Sequence, residues 1–463
     1  MSTRSGSILI VLLACITSRV LSAIYYIEDP DSLRFALSTV NYDVPQLQPH
    51  FPAYPIFCWL VKAITLLTGG YAIAFAVVGG MMTGVIILSL LAIAREPLNS
   101  PRGMIIAVLT FFNPMVWLIG NRYMPDVTGL ACLLGSYYFL TSGRRPILGG
   151  FLSGLLAGIR LSYLPFAVLP WIRAVWVSRR DRSLVLGSSF LGVFVWAAPL
   201  IWITGWSELV EAARVQSAGH FAEFGGTVVT ESDVFIRFIK LMEGIVADGL
   251  GLYWTDRNVS TAFALIALGV AVLPVLRGVF KKNIHDPFWR IHLASWVIYF
   301  LWVYFGQNVI HKSRHVLPLL PLILLICLQA VFFDARGRRI RQAAFTLFLI
   351  AHSYITLHLV MQHTSPSAIY QVKQHLQALN DPELHIVTVP LIEYYLSSQD
   401  VKAVYIVVEE GDLSQLRHIS EDTRVVTIGN SFAFSERPLR SRKTFYHNPY
   451  VNRMWSEIDI YEY

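Results

Sequence analysis

Residues 25–35, YYIEDPDSLRF, place three carboxylates directly after the first long apolar stretch of the chain. That stretch, residues 7–26, follows a short basic head at residues 1–4. We expect an uncleaved membrane helix here and not a signal peptide ending near Ala23, because cleavage would remove the helix that positions the carboxylates. Carboxylates at the exit of such a helix are costly unless they have partners or a chemical role. The segment therefore predicts a membrane protein with an acidic, chemically active loop.

The composition supports a multi-pass membrane protein, since 55% of the 463 residues are hydrophobic and only 14% are charged. The four cysteines all lie in apolar stretches, which indicates neither a disulfide framework nor a zinc site. The net charge of +7 is typical of a membrane protein that keeps Lys and Arg on its cytoplasmic loops. Because no basic face or reading motif accompanies this charge, nucleic-acid binding is not expected.

The apolar runs predict a helix bundle with a consistent topology when residues 54–70 are taken as an interfacial helix. The double-basic turns then all fall on one side, which should be cytoplasmic. The segment 146–177, interrupted by Arg160 and Pro165, is expected to form a hairpin that leaves and re-enters on one side. The expected crossings are residues 7–26, 71–94, 104–120, 127–140, 184–205, 262–276, 288–310, 316–333 and 343–361.

The C-terminal part of the chain changes character, with charged residues mixed into short β-rich runs. Strands are expected at 385–390, 401–409, 424–429 and 457–463, and helices at 391–398 and 412–419. This pattern predicts a mostly α protein with a transmembrane helix bundle at residues 1–362 and a small α/β domain at 363–463. The topology places this domain outside, and we expect the membrane to be a bacterial cytoplasmic (inner) membrane.

The carboxylates near the first helix each have two interpretations. Asp31 precedes a helical pattern at residues 32–40, so it either caps that helix or acts as a catalytic group. Asp29 is held extended by Pro30, which places both aspartates where they can hold an acceptor or a divalent metal. Glu28 and Asp29 are otherwise residues of a solvated loop. Asp126, which follows a proline, either caps the next helix or has a catalytic or orienting role.

Basic residues on the outer side run against the positive-inside trend and are therefore informative. They suit a phosphate on a lipid, because Arg binds phosphate oxygens bidentately and Lys adds a point charge. The alternative is an ordinary anchor at the membrane surface. Arg160, inside the apolar hairpin, needs a partner in the bundle, and His220 lies in an aromatic, glycine-rich loop that could grip a sugar. The outer basic residues are Arg122, His311, Lys312, Arg314 and His315.

Three motifs together resemble the GT-C superfamily, the integral-membrane glycosyltransferases that use polyprenyl-phosphate-linked sugars. Residues 31–35, DSLRF, are similar to the Asp-Glu-x-Arg-Tyr stretch of aminoarabinose and protein mannosyl transferases, and residues 49–55, PHFPAYP, to their interfacial stretch. Residues 122–126, RYMPD, open a helix as in many such enzymes. Residues 311–321, HKSRHVLPLLP, resemble their His-Lys-x-x-Arg and Arg-Tyr-x-x-Pro-x-x-Pro signatures, although Arg314 comes one residue early and Ser32 replaces the second acid.

The resemblance implies an inverting transfer of a sugar, mannose or another hexose or pentose, from a polyprenyl-phosphate donor. The acceptor would be a lipid, a glycan or a protein at the outer face. A lipid phosphate is a good leaving group, so one general base and a cationic cluster suffice. Asp31 would be the base, Asp29 or Asp126 would orient the acceptor or the base, and the outer basic cluster would hold the phosphate. The expected substrate-binding residues are Glu28, Arg34, His50, Tyr54, Arg160 and His220.

Two other functions remain open at the level of sequence. A transporter or lipid flippase would use the hairpin around Arg160 as a midplane site, although no inverted repeat supports this. A non-catalytic envelope scaffold would use the C-terminal domain as its binding module. Replacement of Asp31 by Asn separates these functions, since an enzyme should lose turnover with its fold intact whereas a scaffold should tolerate the change.

Overall fold

The computed structural model describes residues 3–177, 181–219, 226–408, 423–429 and 437–463 of the chain. His220 and the helix expected at 412–419 lie outside these described residues. Sixteen helices form the bundle in the described part: α1 Thr3–Leu21, α2 Pro30–Val40, α3 Pro55–Thr68, α4 Tyr71–Ala94, α5 Pro101–Phe111, α6 Pro114–Asn121, α7 Asp126–Ser142, α8 Pro146–Arg160, α9 Leu164–Val177, α10 Arg182–Thr204, α11 Trp206–Ala218, α12 Val234–Glu243, α13 Val259–His285, α14 Pro287–Gly306, α15 Leu320–Val331 and α16 Arg338–His363.

The bundle is that of an integral, multi-pass membrane protein. By length and composition, six helical stretches of the described chain could cross a bilayer: Tyr71–Ala94, Pro146–Trp176, Arg182–Thr204, Val259–His285, Ser313–Val331 and Arg338–Leu379. Of these, Pro146–Trp176 is broken at Arg160 and folds back on itself, so it is not a single crossing. Helices α5 and α6 form a seventh as a pair bent by 49°, where Pro114 begins α6 and cannot continue α5. Helices α1, α7 and α14 are not among these stretches, so their crossing stays a prediction. Helix α3 has 14 residues, fewer than the ~20 that a crossing needs.

The hairpin expected around Arg160 is present. The backbone of Arg160, at φ −155° and ψ 84°, leaves the helical region where α8 ends. Helix α8 runs parallel to α10, because a Cβ on Gly150 would lie 2.7 Å from Ser188 Oγ and one on Gly158 would lie 2.6 Å from the ring of Trp196. Both contacts advance by eight residues in the same direction along the two helices.

Helix α9 runs the opposite way along α10. Trp171 Nε1 donates to Ser189 Oγ at 2.9 Å, and Arg182 Nε donates to the carbonyl of Val175 at 3.1 Å. Increasing residue number along α9 therefore corresponds to decreasing residue number along α10, so the two helices are antiparallel. Since α8 is parallel and α9 antiparallel to the same helix, the chain leaves and re-enters on one side.

In its described residues, the C-terminal domain has a five-stranded sheet and two helices, α17 Ala368–Leu379 and α18 Pro390–Ser397. The strands are β1 His385–Thr388, β2 Val404–Val407, β3 Val425–Ile428, β4 Ser441–Tyr446 and β5 Glu457–Glu462, in the order β2-β1-β3-β5-β4. Strand β1 is parallel to β2 and β3, whereas β5 is antiparallel to β3 and β4. The sequence did not predict β4, because this edge strand contains two basic residues and is exposed at all but one of its positions.

The C-terminal domain packs on the end of the bundle that carries the acidic loop, here called the site face. Tyr395 of α18 donates its hydroxyl to the carbonyl of Ile27, and Arg34 of α2 lies over the ring of Tyr394 at 5.5 Å. The buried apolar residues of the two parts form one continuous core. The acidic loop is therefore enclosed between the bundle and the C-terminal domain.

Candidate functional site

The acidic loop ends at the N-cap of α2, and the capping residue is Asp29, so the side chain of Asp31 is available for other contacts. Helix α2 begins at Pro30, and Asp29 is its N-cap, with Oδ1 accepting from the backbone N of Ser32 at 2.7 Å. The capping role considered for Asp31 is therefore wrong. Proline is favoured at the first helical position, because its φ is already helical and its missing N–H would have no partner there. The cap thus falls one residue before Pro30, and Asp31 lies in the first turn.

Asp31 is buried and contacts two cations that are distant in sequence, Lys312 and Arg314. Its Oδ2 lies 2.6 Å from Lys312 Nζ and 2.6 Å from Arg314 Nη2, while Arg34 approaches Oδ1 at 3.5 Å. Burial raises the pKa of Asp31, but the charges of Lys312 and Arg314 outweigh it and hold the pKa well below the usual range. Asp31 is therefore a paired, ionised carboxylate with two close cations on one oxygen.

Asp126 forms a second carboxylate site beside the first. Its Oδ1 lies 2.9 Å from Arg160 Nη2 and accepts from the hydroxyl of Tyr163 at 3.2 Å. Its Oδ2 lies 4.0 Å from Arg314 Nε, so Arg314 stands between Asp31 and Asp126. Arg160 also donates to the hydroxyl of Tyr54 at 3.2 Å. The hairpin thus supplies its arginine to the site, which gives that buried charge the partner it needs.

Glu28 belongs to a third group at the same face. Its Oε1 lies 2.8 Å from Arg122 Nε, and its Oε2 lies 2.9 Å from His363 Nε2. Burial raises the pKa of Glu28, but Arg122 and His363 lower it by more, so that the pKa is about 2. Arg122 also donates to the carbonyl of Val451 in the C-terminal domain. Glu28 and Arg122 therefore join the bundle to that domain and are not solvated loop residues.

Asp29 makes a matching link to the C-terminal domain. Its Oδ2 accepts from Asn452 Nδ2 at 3.1 Å. Burial raises the pKa of Asp29, and the negative charges of Glu28 and Asp31 raise it further. Both oxygens of Asp29 are thus engaged, one by the helix cap and the other by Asn452.

A small cavity of about 30 Å³ lies between these groups. Arg122 and Arg314 line it together with Asp248, Ser313 and Arg453. This volume is enough for about one or two water molecules. The two arginines therefore face a common space that has no room for a larger anion unless side chains move.

The histidines predicted for the site lie in different places. Burial lowers the pKa of His50 to about 3, so the ring is neutral where it meets the hydroxyl of Tyr54 at 3.3 Å. His315 is buried, and its backbone carbonyl accepts from Tyr299 at 3.1 Å. His311 is exposed at the surface beside the cluster.

Several residues of the site were not expected from the sequence. His363 ends a membrane helix, whereas Asn452 and Arg453 belong to the C-terminal domain. Arg453 contacts Asp248 through two hydrogen bonds of 2.7 and 3.0 Å. No spacing signal links such distant positions, although Asp248 in an apolar stretch resembles Arg160 as a charge that needs a partner.

Metal dependence stays a prediction. Within the described ranges, no three His, Cys, Asp or Glu side chains converge as metal ligands. The carboxylates of Glu28, Asp31 and Asp126 each face a cation instead.

The fold is similar to that of a solved protein, ArnT, although no protein-family model and no curated protein sequence matches the chain. ArnT from Cupriavidus metallidurans bound to undecaprenyl phosphate aligns with a TM-score of 0.58 and 11% identity, over 99% of this chain and 97% of that chain. The apo state of the same protein aligns with a TM-score of 0.52 and 12% identity, over 99% and 98%. At such identity the likeness defines the fold alone. The chain therefore has the fold of ArnT over almost its whole length.

Proposed function

We propose that this protein transfers a sugar from a polyprenyl-phosphate-linked donor to a hydroxyl group of an acceptor, with inversion at the anomeric carbon. The observation that carries the proposal is the contact of Asp31 with Lys312 and Arg314. A base for the acceptor and cations for a leaving phosphate are thereby adjacent. ArnT, the solved protein of similar fold, is bound to undecaprenyl phosphate, which supports a polyprenyl phosphate as the carrier.

The chemical step needs one proton acceptor and one charge stabiliser. Asp31 takes the proton of the acceptor hydroxyl as its oxygen attacks the anomeric carbon from the face opposite the phosphate. The bond between that carbon and the phosphate oxygen breaks, and its electron pair leaves with the polyprenyl phosphate. Lys312 and Arg314 stabilise the charge that develops on this leaving group.

Donor binding would also activate the base. Lys312 and Arg314 are paired with Asp31 in this structure. The adjacent cavity of about 30 Å³ is too small for a phosphate. A donor phosphate would take these cations from Asp31 and would turn their side chains towards itself. Without its cations, the pKa of Asp31 rises from its depressed value. The carboxylate becomes a stronger base only when the donor is in place.

Neighbouring groups would orient the cations and the acceptor. In the described part of the site, Arg314 Nε and Asp126 Oδ2 have no hydrogen-bond partner, so both can respond to a bound ligand. Arg160 holds Asp126, and Tyr54 holds Arg160. Asp29 fixes α2 and thus the position of Asp31.

We place the site face outside the cytoplasm, in a bacterial inner membrane. Helix α7 begins at Asp126 in the site and ends at Ser142, just before Arg144 and Arg145. The basic turn therefore lies at the opposite end of the bundle, where the positive-inside trend expects the cytoplasm.

The test is sugar transfer by the purified full chain with a panel of undecaprenyl-phosphate sugars, measured as release of undecaprenyl phosphate. We expect release by the wild type and a loss of about 10²- to 10⁴-fold in Asp31→Asn, the range for removal of a general base. Asp43→Asn, in the loop that follows α2, is the matched control and should transfer normally. Absence of release with every donor, or full activity of Asp31→Asn, would contradict the proposal.

A further inference from the structure

A second cavity lies at the site face, at the junction between the bundle and the C-terminal domain. It has a volume of about 680 Å³, within the range of ~300–1,000 Å³ for small-molecule sites. It is enclosed by the end of α12, residues 254–258, the start of α13, the last third of α16, and residues 446, 448–450 and 453 of the C-terminal domain. Its tryptophan, tyrosine and amide residues are Trp254, Tyr354, Tyr446, Tyr450, Asn258, Gln362 and Asn448. We call this cavity the junction groove.

The cations of the junction groove are already occupied. Arg453 contacts two carboxylates, Asp248 at 2.7 Å and Glu243 at 3.0 Å. Lys240 also pairs with Glu243, at 2.9 Å. Lys240, Arg257 and Arg453 line the groove together with the carboxylates of Glu243 and Asp256. With Asp248, which pairs with Arg453, three carboxylates balance the three cations, so the groove has no excess of positive charge to attract an anion.

Arg257 is also held by the protein. It donates to the carbonyls of Ala247 and Leu252, and its guanidinium lies 4.1 Å from the centre of the Tyr450 ring. These contacts fix both side chains as parts of the wall. The groups of the groove that remain open to a ligand are therefore aromatic rings, amides, hydroxyls and the exposed carboxylate of Asp256.

Such a set suits a neutral sugar chain. Aromatic side chains offer an apolar face against which the C–H face of a sugar ring can pack. Asn258 caps α13, with Oδ1 accepting from the backbone N of Ser260 at 3.0 Å, and its Nδ2 can donate to a sugar hydroxyl. Tyr354 is 59% exposed although it lines the groove, so its ring is accessible without a change of fold.

The junction groove adjoins the small cavity of the site. Pro449, Tyr450 and Arg453 line both this groove and the small cavity that Arg122 and Arg314 share. A ligand in the groove would therefore direct one end towards the cations beside Asp31.

We infer that the junction groove binds a neutral glycan and that this glycan is the acceptor of the transfer. The role of the glycan as acceptor rests on the proposed function, whereas the glycan site itself rests on the residues that line the groove. The cationic cluster takes the phosphate of the donor, and the charge-balanced groove takes the acceptor. The two substrates are thus separated by charge.

The test is a binding measurement that needs no transfer reaction. Saturation-transfer NMR on the full chain, with maltotriose, cellotriose and mannotriose as probes, should show binding of at least one trisaccharide. The double variant Trp254→Ala/Tyr354→Ala should lower this signal at least fivefold, while undecaprenyl phosphate should not displace the sugar. Tyr253→Ala is the matched control, since Tyr253 is exposed beside the groove but does not line it.

The outcomes separate the inference from the proposed function. A signal from no trisaccharide, an equal signal in the double variant, or displacement by undecaprenyl phosphate would overturn the glycan site. Release of undecaprenyl phosphate in the transfer assay would leave the proposed function standing in each of those cases. Conversely, a Trp254- and Tyr354-dependent sugar signal without transfer would keep the glycan site and remove its role as acceptor site.

Discussion

Two buried ion clusters at the site face differ in the ratio of their charges. At Asp31, one carboxylate contacts two close cations, Lys312 and Arg314. At Arg453, one cation contacts two carboxylates, Asp248 and Glu243. Removing a partner from either cluster leaves a buried charge uncompensated. Only the first cluster, with its excess of cations, can receive an anion in exchange for its own carboxylate.

The difference indicates that burial and ion pairing alone do not mark a functional site. The Arg453 cluster connects the C-terminal domain to the bundle and has no charge to offer a phosphate. The Asp31 cluster lies within the bundle and keeps its cations neutralised until a ligand arrives. The sign of the excess charge therefore separates a structural link from a ligand site.

The largest effect should follow from Arg314→Ala, which breaks the Asp31 cluster. Arg314 contacts Asp31 and stands 4.0 Å from Asp126, so its loss removes the stabilising cation of the leaving group. We expect sugar transfer to fall about 10³-fold, as for other preorganised charge stabilisers. Arg314→Lys, which keeps the charge, should retain more activity. Unchanged transfer in Arg314→Ala would break the comparison.

Arg453→Ala should act on stability instead. Asp248 would lose its ion-pair partner and Glu243 would keep only Lys240, at a cost of about 3–5 kcal/mol in the free energy of unfolding. Thermal unfolding in detergent should show this as a lower midpoint, whereas the affinity for undecaprenyl phosphate should stay within about twofold. A strong loss of lipid-phosphate affinity in a folded Arg453→Ala sample would show that this cluster also belongs to the ligand site.

The Glu28 contacts should make the free energy of unfolding depend on pH. Its pKa is about 2 in the folded protein and ~4.3 in an unfolded chain, so the ionised form favours folding. This contribution, about 3 kcal/mol, is present in full above ~pH 4.5 and is lost as the pH falls towards ~2. We expect Glu28→Gln to be less stable than the wild type at pH 7 and to lose less stability below pH 4.5. Equal acid sensitivity of the two proteins would contradict the role of the Arg122 and His363 contacts.

Much of the architecture could be predicted from the sequence. Hydropathy and the basic turns indicated the mostly helical bundle with a small C-terminal sheet domain. They also placed the acidic loop and residues 311–315 on one face, and Asp31 indeed meets Lys312 and Arg314 although 281 and 283 residues separate them. The hairpin at Arg160 followed from a buried charge in an apolar run.

The pairing of individual side chains could not be predicted. A choice between Asp29 and Asp31 as the cap depends on where α2 begins, and Pro30 moves that start by one residue. The contacts of Glu28 with His363 and of Asp29 with Asn452 join elements with no local relation in sequence. Strand β4 was missed because a polar edge strand lacks alternating apolar residues.

The most direct test of the account is the affinity of the wild type and of Asp31→Asn for undecaprenyl phosphate in lipid nanodiscs, with Asp43→Asn as the control. Since Asp31 competes with the phosphate for Lys312 and Arg314, its neutralisation should tighten binding by about tenfold or more, which corresponds to ~1.4 kcal/mol. The same variant should have lost transfer. Binding of undecaprenyl phosphate by Asp31→Asn that is equal to or weaker than that of the wild type would contradict the exchange of Asp31 for the donor phosphate.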